Sequence, residues 1–190
     1  MEFKNIYSLD DADIRGALHV SSDDIIDPIS IIKGRFKPEK KMIFKHYIDG
    51  KPKDLICTGY PSIYLLSSNV INVLKENKIT GWKSYHVDIY NKNGEINEDY
   101  YLFSVTGYCG PIDNKRSKRV KKPPLVPGGK TYKPWVGLFF DLNTWNGKDI
   151  FSPKDTTFIF VVEKVKNILE KQKFKNIIFR PITEIERLMI

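Results

Sequence analysis

Between Lys41 and Leu66 the chain alternates apolar patches with turn residues: Met42-Ile43-Phe44, Asp49-Gly50, Leu55-Ile56-Cys57, Gly59-Tyr60-Pro61 and Ile63-Tyr64-Leu65-Leu66. Brief apolar runs bounded by Gly, Pro and Asp read as short strands. Phe3 to Leu9 reads as another, followed by an acidic, turn-rich stretch at Asp10, Asp11 and Asp13. Tyr90-Asn91-Lys92-Asn93-Gly94-Glu95 is a hairpin signal, because Asn-Gly suits the left-handed conformations of a tight turn. It should join Tyr85–Tyr90 to a strand near Tyr100–Val105, and Trp135–Asp141 should form a further strand.

The clearest pattern is a self-similarity. Shifting Ile63–Ile79 by 95 positions onto Phe158–Phe174 pairs Val70 with Val165, Asn72 with Asn167, Val73 with Ile168, Leu74 with Leu169 and Lys78 with Lys173. Each stretch opens on an apolar run and passes into apolar positions at i, i+3 and i+4, the period of an amphipathic helix. Ser67 or Ser68 would cap the first helix. A polar turn and an extended segment follow each, Trp82–Tyr90 and Asn176–Pro181. Two strand-helix-strand units, residues 63–90 and 158–185, are therefore expected. Two units are too few for a solenoid. The expected fold is a single α+β domain over residues 1–190, a mixed or antiparallel sheet covered by helices.

Length and composition fit that expectation. A chain of 190 residues, 41% hydrophobic and 28% charged, can bury a core without disulfide or metal staples. No apolar run reaches the roughly 20 residues a membrane-spanning helix needs. Met1 to Ser8 lacks the apolar core of a signal peptide, so a cytoplasmic location is expected.

Charge changes the picture more. The net charge is +8, with 31 basic and 23 acidic residues. Asn114–Pro134 holds Lys115, Arg116, Lys118, Arg119, Lys121, Lys122, Lys130 and Lys133 and no acid, so the rest of the chain is electroneutral. Five residues of this stretch, Pro123, Pro124, Pro127, Gly128 and Gly129, with Pro134 at its end, exclude helix and central strand. Residues 113–134 are expected as an exposed loop, either a solvated insertion or a contact surface. Loops of that length in compact domains are functional or disordered. Six of the cations crowd into Lys115–Lys122, dense enough for phosphates or an acidic protein face. Only Tyr132 and Trp135 flank them, fewer rings than a single-strand nucleic-acid binder interleaves.

Candidate chemistry is sparse. Gly129-Lys130-Thr131 imitates the end of a phosphate-binding loop, but Pro124 occupies the first glycine position and Tyr132-Lys133-Pro134 cannot open the required helix. Asn91–Gly94 and Asp141–Gly147 fail as calcium loops at their leading or closing positions. His19, His46 and His86 stand isolated, without metal-ligand spacing. Cys57 and Cys109 have no CxxC or His partner and read as reduced, buried thiols. Cys109 has no base nearby in sequence, and Glu184 with Glu186 reads as a solvated edge. Trp82, Trp135 and Trp145 read as core or half-buried packing before ligand anchors. No cofactor, metal or catalytic residue is assigned.

Three segments carry a resemblance: Leu65-Leu66-Ser67-Ser68-Asn69-Val70-Ile71 running to Ile79-Thr80-Gly81-Trp82; Gly137-Leu138-Phe139-Phe140-Asp141 running to Trp145-Asn146-Gly147-Lys148-Asp149-Ile150-Phe151; and Phe160-Val161-Val162-Glu163-Lys164-Val165 leading to Asn176-Ile177 and Glu184. Over residues 40–187 the chain resembles the bacterial immunity proteins of polymorphic toxin systems, a family first catalogued as a domain of unknown function. The resemblance implies a cytoplasmic, non-enzymatic protein that binds and neutralises a cognate toxin, with no catalytic residues to carry over. The charge then designates Lys115, Arg116, Lys118, Arg119, Lys121, Lys122, Tyr132 and Trp135 as the candidate partner-binding set, facing an acidic toxin surface. Two rivals remain: a nucleic-acid-associated protein clamping phosphates with residues 115–122, and an enzyme assembled from Cys109, His86 and Glu184. Oligomeric state is not legible.

Overall fold

The fold was obtained as a computed structural model that describes residues 2–24 and 27–187. In chain order come β1 (Ile6–Asp10), β2 (His19–Ser21), α1 (Pro28–Ile32), β3 (Met42–Ile48), β4 (Leu55–Thr58), β5 (Tyr64–Ser67), α2 (Ser68–Glu76) and β6 (Trp82–Tyr90). Then follow β7 (Ile96–Val105), β8 (Gly107–Pro111), β9 (Lys118–Arg119), β10 (Trp135–Val136), β11 (Ile150–Lys154), β12 (Phe160–Val162), α3 (Glu163–Lys171), β13 (Ile178–Pro181) and β14 (Glu186–Arg187).

Six strands close a barrel in the order β2-β3-β6-β7-β5-β4, and a five-stranded sheet runs β13-β1-β12-β11-β8. Both are mixed: β2 lies parallel to β4, β3 to β6 and β8 to β11. The barrel interior is filled by Val20, Phe44, Ile56, Leu65, Val87, Ile89 and Leu102, with Ile31 and Ile32 of α1 joining them. Asp27 starts α1 by accepting from the amides of Ile29 and Ser30.

Strands β4 and β5 are buried at every position because they have core on both faces. Ile56 and Leu65 point into the barrel, while Leu55, Tyr64 and Leu66 point out against Leu9, Ile159 and Val161 of the second sheet region and against both longer helices. Helix α2 contributes Val70, Ile71 and Leu74, and α3 contributes Val165 and Leu169. Ser67 caps α2 by accepting from the Val70 amide. The two similar stretches each run strand, helix, strand, and Lys78 and Lys173 follow the helices at φ of 52° and 56°. Their places differ: β5 and β6 flank β7 in the barrel wall, whereas β12 and β13 flank β1 in the open sheet.

Two residue groups quoted for the resemblance interlock the barrel with the sheet. Thr80 donates from its amide and its hydroxyl to Asp149 Oδ2, 2.8 Å in each case, and the Ile150 amide donates to the Thr80 carbonyl. Gly81, at φ 93°, lies so close that an added Cβ would stand 1.9 Å from the Ile150 carbonyl oxygen. Those motif residues are joints of the fold.

The expected helix-covered sheet needs correction. On the far face of the five-stranded sheet, Ile6, Phe151 and Phe160 are covered by Phe3, Leu138, Phe140, Leu142 and Trp145, which lie outside the α-helices. The expected strand Trp135–Asp141 stops at Val136, because Gly137 turns to φ 95° and leaves no room for a side chain beside the Phe139 ring. The hairpin between β6 and β7 is present and longer than expected on both arms.

Candidate functional site

The basic segment is a pinned edge ribbon with short strands, β9 and β10, near its two ends. Strands β14, β10 and β9 form a small antiparallel sheet, with Trp135 opposite Arg119 and Arg187, and Val136 opposite Lys118 and Glu186. Pairing continues outward: the Val120 amide donates to Pro134, and Lys122 and Tyr132 exchange amide bonds. The prolines that exclude a central strand are tolerated because the ribbon is an edge structure. At the tip, Pro127 and Gly128 (φ 76°) turn the chain, and the Gly129 amide donates to the Val126 carbonyl at 3.0 Å. Those are the positions of Pro and Gly in a type II turn. At the base, the buried Ser117 hydroxyl donates to the Gly137 carbonyl and the Asp113 amide to Phe139.

The eight candidate residues divide by role. The Arg116 guanidinium lies 4.8 Å from the Phe3 ring centre and 5.5 Å from that of Phe139, tying the ribbon base to the aromatic core. Arg119 lies 5.3 Å over half-buried Trp135. Lys122 pairs with Glu186 at 2.7 Å, and this carboxylate raises its pKa. Tyr132 is occupied in the backbone bridge to Lys122. Lys115, Lys118 and Lys121 are exposed, and their side chains make no ion pair or hydrogen bond among the described residues; Lys130 and Lys133 share that state. The structure adds two residues to the set, Leu125 and Val126, 74% and 64% exposed at the tip. Their signal in the sequence was an apolar pair between prolines, masked by the surrounding charge.

The rival enzymatic trio does not assemble. Cys109 sits on β8 against the sheet core, whereas His86 sits on β6 beside Tyr101 and bonds the Glu98 carbonyl. Glu184 lies in the turn after β13, its amide donating to Pro181. Among the described residues no group of three or more His, Cys, Asp and Glu side chains is arranged to hold a metal ion, and no helix is long and apolar enough to cross a membrane.

A family model described as the immunity protein family Imm11 matches residues 7–184, spanning the barrel, the sheet and the ribbon. The chain belongs to this family. No curated protein matches the chain. In this Imm11 member the segments that carried the resemblance fall inside the matched span, and Thr80, Gly81, Asp149 and Ile150 among them are the joints described above.

Both thiols of this family member are free and buried. Burial pushes Cys57 up to about 12, with Asp11 adding to it, and pushes Cys109 up to about 12 against the opposing pull of Lys33. Burial likewise takes Tyr100 up to about 12 and raises Tyr64, whose hydroxyl donates to Asp10 at 2.6 Å. The unfolded chain releases thiol protons from about pH 8.5 while the folded chain holds them. Stability should therefore be intact below that pH and fall as pH rises from about 8.5 towards about 12. The urea midpoint should drop between about pH 8 and about pH 10.5, and drop less in a Cys57→Ser/Cys109→Ser variant; a flat profile would refute this assignment.

Proposed function

We propose that this chain is a cytoplasmic, non-enzymatic immunity protein that neutralises a cognate bacterial toxin of a polymorphic toxin system by direct binding, and that the ribbon from Lys115 to Trp135 meets the toxin. Family membership supports the immunity role. The observation that carries the choice of face is the coincidence of charge and shape. The whole excess of +8 lies in the segment that forms the ribbon, its base is pinned by Arg116, Ser117 and Lys122, and its outer lysines and its Leu125–Val126 tip are unoccupied.

A pinned ribbon suits recognition because ordering costs little on binding. Free cations steer an acidic partner, and an exposed apolar tip supplies the desolvated centre that charges alone lack. A toxin with an acidic cleft accepting the tip would satisfy both, within the roughly 1,200–2,000 Å² of a standard interface. Nucleic acid is the weaker reading: only Tyr132 and Trp135 flank the cations, and Trp135 already lies under Arg119, so few rings are left to stack on bases.

The test is affinity capture of the tagged chain from its native lysate, with nuclease and in raised salt, followed by growth assays with the captured toxin expressed alone or with the chain. A stoichiometric protein partner that survives nuclease, and whose toxicity the chain relieves, is expected. Recovery of nuclease-sensitive, salt-labile material alone would transfer the function to nucleic-acid binding.

A further inference from the structure

Away from the ribbon, a cavity of about 700 Å³ opens where the barrel meets the five-stranded sheet. Its wall combines Ile29 and Lys33 of α1, Arg35 just beyond it, Tyr108 of β8 and Ser152 and Lys154 of β11. The volume lies in the range of small-molecule sites, and seams between packed units are where such sites concentrate. Three cations, Lys33, Arg35 and Lys154, surround it against one acid, Asp155.

Lys33 is the informative residue. Its ammonium donates to the Ser152 hydroxyl at 2.8 Å and to the Pro153 carbonyl. Burial lowers its pKa. Two of the three ammonium protons are thus held and one is left for a ligand. A partly desolvated ammonium gains more from an anion than an exposed one does. Ile29 and Tyr108, 42% and 61% exposed, offer apolar surface on either side. Strand β11 changes register between Pro153 and Lys154, and Asp155 follows at φ 60°. Bulges and left-handed non-glycine residues concentrate where a fold re-aims side chains for binding.

We propose that this pocket binds a carboxylate carried on an apolar or aromatic body. Lys33 meets the carboxylate, Arg35 and Lys154 supply the surrounding positive potential, and Tyr108 and Ile29 cover the body. A compact single charge fits one desolvated donor flanked by two further cations, and among the described residues the pocket has no cradle of free amides for a phosphate, because the Tyr108 and Gly110 amides donate to the Asn146 and Thr144 side chains. The carboxylate has two sources: a free small acid, or an acidic side chain or chain end of a protein partner. Strand β8 leads from the pocket at Tyr108 to Pro111, and Lys115 of the ribbon follows four residues later.

Titration of the isotope-labelled chain with phenylacetate, its neutral isostere phenylacetamide and inorganic phosphate, read by amide NMR shifts, tests the assignment without any toxin. Saturable shifts confined to residues 29–35, 108–110 and 152–156 are expected with phenylacetate. Phenylacetamide should bind at least about tenfold more weakly, the weight of one charge-assisted hydrogen bond. Lys33→Met should lose a similar factor. Tyr108→Ala, a change at an exposed ring, should also weaken binding and guards against a folding defect in the first variant. Equal binding of acid and amide, stronger binding of phosphate, shifts centred on the ribbon lysines, or no saturable shift would each overturn the proposal. Loss of the phenylacetate shifts in the toxin complex would support the site with a partner carboxylate as its source, and their persistence the site with a free acid.

Discussion

Replacing Lys115, Lys118 and Lys121 together by alanine is expected to slow association with the toxin by about tenfold or more at low salt, while dissociation changes less. These three are chosen because they are exposed and hold nothing else in place. The six-charge deletion that the sequence invites would also remove Arg116 from Phe3 and Phe139 and Lys122 from Glu186, and so would confound binding with damage to the ribbon. Steering acts at distances comparable to the Debye length, so wild type and variant should converge at about 0.5–1 M salt, where that length shrinks towards about 3 Å. Stopped-flow association across a salt series checks this. A triple variant that associates at the wild-type rate in low salt would remove the free lysines from the mechanism. Leu125→Ser at the tip should act on the other rate, because an apolar anchor governs how long the complex lasts.

The largest effect on stability is expected at Phe160. Its ring is fully buried on β12 and packs against Phe140, Phe151 and Phe158, with ring centres 6.1, 5.7 and 6.2 Å away. Phe160→Ala would lose the transfer free energy of the ring and leave a cavity between β-sheet and covering loops, a cost of about 3–5 kcal/mol. For a domain of this size that lowers the melting temperature by roughly 6–20 °C, at about 2–4 °C per kcal/mol. Urea unfolding of the variant beside Tyr47→Ala, at a residue 67% exposed, measures it. The control should stay within about 0.5 kcal/mol of wild type, and a Phe160 variant equally close would contradict the packing.

Much of the fold was legible where local pattern and tertiary environment agree. The hairpin at Asn93-Gly94 formed, as did both helices with their period of apolar residues and the Ser67 cap. What stayed hidden depends on contacts distant in sequence. Closure of the barrel joins His19 to Cys57 and Met42 to Val87 in parallel, and parallel pairs leave no turn signal between their partners. Strand β11 was obscured by Pro153, tolerated because a register shift follows it. Strand β8 contains Gly107 and Gly110, which read as breakers; a Cβ at Gly107 would stand 2.2 Å from the Ile150 carbonyl, so the glycine marks close backbone approach.

The candidate site shows the same division. Charge accounting alone located the basic segment, since net charge needs no fold. It could not separate Arg116, Arg119 and Lys122, which are spent on Phe3, Trp135 and Glu186, from the lysines that remain free. Two of the partners, Phe3 and Glu186, stand near opposite ends of the sequence, and nothing in the local sequence of Arg116 or Lys122 announces them. The pocket beside Lys33 was invisible for the same reason: its cations are scattered from position 33 to position 154 and converge only when barrel and sheet pack.

The claim that the ribbon meets the toxin is tested most directly by backbone hydrogen–deuterium exchange of the chain alone and in its purified complex with the captured toxin. Protection is expected to concentrate in residues 115–136, strongest at the Leu125–Val126 tip, whose amides have no partner strand in the isolated chain. Exchange in the ribbon unchanged by complex formation, with protection appearing on the barrel or the open sheet, would contradict it.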